Sequence, residues 1–179
     1  FSAAARYPTL RAKVLADAES RLLPVPTTPS SPVVTLNEAE GKALLAGHGI
    51  PVPTHSTGTA EEVIAASEGL GYPLAVKLLN ADLAHKNHAG AVHLNIKDAL
   101  GLEQAISDIQ TSVTRYDARL DTSHFLIERM VSAPRAEFIA GVSHKPGIGY
   151  ALVIGRGGTA VEELKDFATL LLPVNEAQI

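Results

Sequence analysis

The chain has 179 residues, a formal net charge of −4 and a pI near 6.0, with 46% hydrophobic and 19% charged residues, the profile of an ordinary globular protein. An acidic balance with 4% aromatics and no Trp argues against a nucleic-acid partner held through phosphates, and no basic patch suits an anionic membrane. The absence of Cys excludes disulfides, thiolate catalysis and Cys-ligated zinc and fits a cytoplasmic location, and no apolar run approaches the ~18 residues of a membrane span.

The chain opens Phe1-Ser2-Ala3-Ala4-Ala5, with neither an initiator Met nor a signal-peptide pattern, and is expected to begin mid-protein. Ala4, Tyr7, Leu10, Val14, Leu15, Ala18 and Leu22 recur at helical spacing, with Pro8 suited to a first turn. Pro24, Pro26, Pro29 and Pro32 then stand among Ser and Thr in an extended linker. Residues 1–34 therefore read as the tail helix of a preceding domain plus a Pro-rich linker.

Asn37 followed by Glu40 is a capping signal for a helix whose Ala39, Ala43, Leu44 and His48 share one face and which Gly49 ends. Ile50-Pro51-Val52-Pro53 is extended, and a second helix starts at Thr59, with Glu62 as its capping partner, and runs to Gly71. Leu74–Leu79 reads as a buried strand carrying one charge, and Ala91–Ile96 as a second strand across a polar loop. Asp98 caps a long helix with Leu102, Ala105, Ile106, Ile109 and Val113 facing inward. Short strands follow at His124–Met130, Glu137–Val142 and Ala151–Ile154, separated by turns at Ser132–Pro134 and Lys145–Gly149. Without a strict βαβ alternation, the expectation is an α+β chain with mainly antiparallel sheets in two lobes, 35–122 and 123–179.

Lys77 lies within an otherwise apolar strand, where an ammonium is costly unless something negative pairs with it. It either snorkels from a strand end or, facing the loop 80–92, holds phosphate oxygens. That loop has one Gly, one Lys and two His, with small residues that let backbone amides approach an anion; it is not a Walker loop. His85 and His88 are spaced as a metal pair, yet no acidic partner sits at a helical offset; a phosphate-contacting or nucleophilic imidazole is the alternative. Gly155-Arg156-Gly157-Gly158 follows a strand and reads equally as a tight turn or a functional loop. Glu162, Glu163, Lys165 and Asp166 form a charged run of the kind that is usually solvated.

Four stretches, in order, carry a family likeness: Glu38–Leu45 with Gly49-Ile50-Pro51-Val52-Pro53; Gly71-Tyr72-Pro73-Leu74-Ala75-Val76-Lys77; His85-Lys86 through Gly90-Ala91-Val92; and Glu137–Val142 with Gly155–Gly158, Glu162 and Asp166. From about Leu36 to Pro173 the chain resembles the ATP-grasp domain of the ADP-forming acyl-CoA synthetases, which are related to the succinyl-CoA synthetase β subunit. The resemblance implies a two-lobed ATP-grasp fold with an incomplete C-terminal lobe. It also implies a reaction in which a γ-phosphoryl group passes through histidine to a carboxylate and the acyl phosphate is attacked by CoA. By the same resemblance Lys77 and Lys86 meet the phosphates, Gly90 brings its backbone close to them, and His85 is a candidate phosphoryl carrier. Glu128, Arg129, Met130 and Val131 fall at the hinge beside the adenine, and Glu137 near the ribose. ATP or ADP, Mg²⁺ and CoA are the implied ligands, with the Mg²⁺ ligands expected beyond residue 179 and the fragment alone expected to be inactive. Partner domains that bind CoA and carry a phosphohistidine, and a small carboxylic acid, complete the implied system. The chain departs from the family pattern at Lys145–Tyr150, where an acidic residue has become basic and an aromatic is lost, at His88, where an acid is frequent, and at Ala91, which replaces a Gly. Two other readings remain: a regulatory ATP-grasp-like module of a protein acetyltransferase, and an ATP-grasp carboxylase or peptide ligase, which would explain Lys77 but not His85-Lys86.

Overall fold

A computed structural model describes residues 34–83, 86, 88–145, 148–158 and 167–172. The expected tail helix and linker, His85, and the charged run from Glu162 to Asp166 lie outside these residues.

Helices begin where the capping signals place them. In α1 (Glu38–Gly47) the Asn37 side chain accepts from the Glu40 amide at 3.0 Å, and the Glu40 carboxylate accepts from the Asn37 amide at 2.7 Å. The same reciprocal box opens α2 (Ala60–Leu70), built from Thr59 and Glu62, and Asp98 accepts from the Gly101 amide to start α3 (Ala99–Tyr116). Each satisfies donors that the helix itself leaves open. All five residues of α3 expected to face inward are buried: Leu102, Ala105, Ile106, Ile109 and Val113. The apolar face expected of α1 is different, because α1 buries none of its residues and Leu44 and Leu45 are exposed. What α1 offers its neighbours is charge, from Glu38 and Lys42 one turn apart.

Four strands, β1 (His55–Gly58), β2 (Leu74–Leu78), β3 (Val92–Ile96) and β4 (Phe125–Arg129), form an antiparallel sheet in the order β1-β4-β2-β3. Period-two alternation divides the two central strands between two faces. Leu74, Val76, Leu78, Phe125 and Ile127 join Val63 and the buried stripe of α3 in one core cluster. Burying each such side chain contributes about 1.5–3 kcal/mol. On the opposite face stand Ala75, Lys77, Leu126 and Glu128, all but Lys77 buried. The charge in the apolar strand is thus explained: Lys77 does not enter the core but faces away from it.

The described residues divide into two compact units between Ala133 and Pro134, later than the 122/123 boundary read from the sequence. The reason is β4, which hydrogen-bonds between β1 and β2 and so belongs to the first unit. The second unit is a three-stranded antiparallel sheet of β5 (Phe138–Lys145), β6 (Gly149–Arg156) and β7 (Phe167–Leu171). The expected hairpin between Lys145 and Gly149 joins β5 to β6, with those two residues paired at its end.

Candidate functional site

Register brings the site together on the non-core face of the first sheet. Glu128 lies opposite Ala75, and Lys77 opposite Leu126, so Lys77 and Glu128 are diagonal neighbours with Nζ and Oε1 2.6 Å apart. Ala75 opposite Glu128 is small enough to leave the carboxylate room. From the first turn of α1, Glu38 Oε1 also reaches Lys77 Nζ at 2.6 Å. Lys42 Nζ lies 2.8 Å from Glu128 Oε2 and 3.6 Å from Glu38 Oε1. Lys86, from the loop between β2 and β3, places its Nζ 3.1 Å from Glu38 Oε2. Three lysines thus share two glutamates, all largely screened from solvent, with one positive charge in excess.

Burial alone would push the Glu38 and Glu128 carboxyls up, but hydrogen bonds and charge from the lysines outweigh it and hold both below the usual carboxylate range. Burial would likewise lower Lys77, yet its two carboxylate partners raise it. Near neutral pH, then, Lys77 is an ammonium facing two carboxylates. Lys42 Nζ pairs with the buried Glu128 Oε2 at 2.8 Å, and this oxygen has no other polar partner among the described residues. With three ammoniums against two carboxylates, the cluster fits a ligand that brings negative charge.

The loop is fixed at its base. The Ala91 amide donates to the Lys86 carbonyl at 2.9 Å, and the Leu78 amide to the Ala91 carbonyl at 3.0 Å. Gly90 has φ +65°, and a Cβ there would meet Ser112 Cβ at 3.0 Å, so glycine is what lets this loop lie against α3. Lys86 is therefore held through its backbone and through its side chain. Beside the loop, His88 is exposed and lines an open cleft with Ser112, Arg115 and Tyr116. Among the described residues no group of three or more His, Cys, Asp or Glu side chains is arranged to hold a metal ion.

At the end of β4 the Arg129 amide donates to the Thr54 carbonyl and the Met130 amide to the Pro73 carbonyl. Met130 Sδ accepts from the Asn95 amide, which sits at φ +61°. Val131 follows, exposed. In the second unit the Gly157 amide donates to the Glu137 carbonyl at 2.8 Å, and a Cβ on Gly157 would come within 3.1 Å of the Glu137 and Phe138 backbone. Gly155 and Arg156 thus end β6, and the two glycines after them pack closely on Glu137. Arg135, Glu137, Phe138, Arg156 and Phe167 border a cleft of about 650 Å³ in this unit.

Of the residues singled out from sequence, Lys77, Lys86 and Glu128 meet in one cluster. Gly90 shapes the loop that delivers Lys86; Arg129, Met130 and Val131 continue the strand that delivers Glu128; Glu137 lies in the second unit; His85 lies outside the described residues. Sequence reasoning gave no role to Glu38 and Lys42. Their signal was present: a Glu–Lys pair at i, i+4 on a helix with few large apolar residues.

Residues 29–179 match the ATP-grasp domain family, and the chain belongs to it. It is 35% identical over 140 residues to the β subunit of an ADP-forming acetate–CoA ligase from Pyrococcus furiosus, covering 78% of this chain and 59% of that one. It is also 31% identical over 144 residues to the ADP-forming 4-hydroxybutyrate–CoA ligase of Nitrosopumilus maritimus, covering 80% of this chain but 20% of the relative. Among solved structures it resembles a dinucleotide-forming acetyl-coenzyme A synthetase of Candidatus Korarchaeum cryptofilum in complex with coenzyme A and Ca-AMPCP. That match has a TM-score of 0.73 at 25% identity, covering 97% of this chain and 69% of the other. The chain thus spans between a fifth and three fifths of the length of these two curated relatives.

Proposed function

We propose that this chain is the nucleotide-binding part of an ADP-forming acyl-CoA synthetase, which converts a carboxylate, ATP and CoA into acyl-CoA, ADP and phosphate. The observation that carries the reading is the cluster in which Lys77 and Lys86, from strand and loop, converge on one side of the sheet with a lysine in excess. Ammoniums so placed would hold polyphosphate oxygens. Glu128 would accept from the adenine amino group, and Val131 would present its exposed backbone to the base. Glu137 would face the ribose. Bound Mg²⁺, when present, would neutralise charge developing on the phosphates.

His85, beside Lys86 in the sequence, is proposed as the acceptor of the γ-phosphoryl group. Its imidazole nitrogen forms the N–P bond as the bond to the β-phosphate oxygen breaks and ADP leaves. The phosphoryl group then passes to the carboxylate, and the CoA thiol attacks the acyl phosphate with loss of phosphate. The two curated relatives are an acetate–CoA ligase and a 4-hydroxybutyrate–CoA ligase, so the acid is proposed to be a small carboxylic acid. Partner domains supplying CoA binding and a phosphohistidine segment, and a cytoplasmic setting, belong to this proposal.

The test uses the complete protein that carries this chain, a panel of small carboxylic acids, and His85→Ala. Acyl-CoA and ADP are the expected products, and acid-labile, base-stable label from γ-³²P-ATP should be lost from the peptide containing position 85 in the variant. Wild-type turnover and unchanged labelling in His85→Ala would remove His85 from the transfer.

A further inference from the structure

Glu38 joins the two lysines that the phosphate site depends on. One carboxylate oxygen meets Lys77 of the rigid strand at 2.6 Å and the other meets Lys86 of the loop at 3.1 Å. One carboxylate bridging two ammoniums offers them the same fork of anionic oxygens that a phosphate does. The three lysines are not equally dependent on it. Lys77 and Lys42 both have Glu128 as well, whereas Glu38 is the one ion-pair partner of Lys86 among the described residues. Nor does α1 need Glu38 for its own start, since Asn37 and Glu40 carry the capping box. The helix N-terminus does favour an anion at this position.

We propose that Glu38 is a positioning residue that stands in for the nucleotide's phosphates: without nucleotide it holds Lys77 and Lys86 together, and an incoming polyphosphate takes over both ammoniums. The proposal rests on the nucleotide-site reading and adds an order of events to it. Glu38 and the phosphates then compete for the same donors, and the apparent affinity for nucleotide is reduced by the fraction of molecules in which Glu38 occupies them. The competition grows with phosphate number, because a single phosphate need not engage both lysines. It also keeps Lys86 on the site before nucleotide arrives, shielding its amine from solvent.

The test compares the complete protein that carries this chain with its Glu38→Gln form, with Glu38→Ala as a second variant, and with Glu61→Gln as a control. Glu61 carries the same charge in the first turn of α2, outside the cluster. ATP, ADP and AMP are titrated calorimetrically, and acetylation of Lys86 by acetic anhydride is followed by mass spectrometry with and without ATP. Removing an ion pair of this kind is expected to tighten ATP binding about three-fold, ADP binding less and AMP binding not at all, with Glu61→Gln matching wild type. Lys86 should be acetylated faster in both Glu38 variants without nucleotide and protected again by ATP. If wild type binds ATP but Glu38→Gln binds it equally or more weakly, or if Lys86 reactivity is unchanged, the role of Glu38 is overturned while the site stands. If wild type binds none of the three nucleotides, the site reading fails, and the stand-in role with it.

Discussion

Replacing Lys77 by Ala removes the lysine that both glutamates share. In the folded chain it lies 2.6 Å from each of Glu38 and Glu128, and its side chain is 19% exposed. Its loss takes away a charged donor, worth about 1–3 kcal/mol toward a charged acceptor. It also cancels the local surplus, leaving Lys42 and Lys86 against two carboxylates. Both effects oppose a polyphosphate, so the upper part of that range applies, about 2–3 kcal/mol or roughly 30- to 150-fold in ADP affinity. Stability should fall less, by about 1–2 kcal/mol, because Glu128 keeps Lys42 and Glu38 keeps Lys86 and the removed pairs are partly solvated. Calorimetric titration of ADP into both proteins, with thermal unfolding alongside, reads the two quantities separately. Equal ADP affinity in a folded Lys77→Ala protein, with wild type binding, would refute the placement of the phosphate site at this cluster.

Gly90→Ala should cost about 1–2 kcal/mol, from the positive φ and from the approach to Ser112; Ser112→Gly in the same chain should recover the part due to contact, and thermal melts of the single and double variants check this. Glu38 and Glu128 lie below the ordinary carboxyl value of 4.5, so their pairs contribute stability that is present above pH 4.5 and lost as pH falls through the folded values. Lys77 lies above its ordinary 10.5, so its contribution is full below pH 10.5 and lost as pH rises through the folded value. Calorimetric melting of wild type and Lys77→Met across pH should therefore show the variant with a shallower loss on both sides; superimposable curves would mean that Lys77 does not hold the carboxylates.

Much of the first unit was legible because local chemistry and tertiary structure agree there. Asn37–Glu40, Thr59–Glu62 and Asp98 capped the helices they announced, and the apolar period of 99–116 named the buried face of α3. What sequence could not show was direction. Leu74–Leu78 is apolar at every position but one, so the pattern alone did not say that Leu74, Val76 and Leu78 face the core while Lys77 faces the site. His55–Gly58 escaped notice because a four-residue edge strand of His, Ser, Thr and Gly has no apolar alternation to reveal it. The end of the first unit was misplaced for a related reason: β4 pairs with strands from much earlier in the chain, and register of that range leaves no local mark.

The candidate site shows the same division. Lys77 stood out because a charge in an apolar run needs a partner, and Lys86 and Gly90 because they share its loop. Glu38 and Lys42 did not, since a Glu–Lys pair on a helix is ordinarily a solvated surface pair. Only the fold, by bringing α1 over the non-core face of β2 and β4, turns that pair into part of a shared charge cluster.

The central claim is that an adenine nucleotide binds with its phosphates at Lys77 and Lys86 and its base beside Val131. Titration of ADP into isotope-labelled chain, followed by amide and lysine-side-chain NMR signals, tests it directly. The expected shifts gather at Lys77, Lys86, Gly90 and the Glu128–Val131 stretch and saturate together with one apparent affinity. Saturable shifts gathered elsewhere, for instance at Ser112, Arg115 and Tyr116, with Lys77 and Lys86 unmoved, would contradict it.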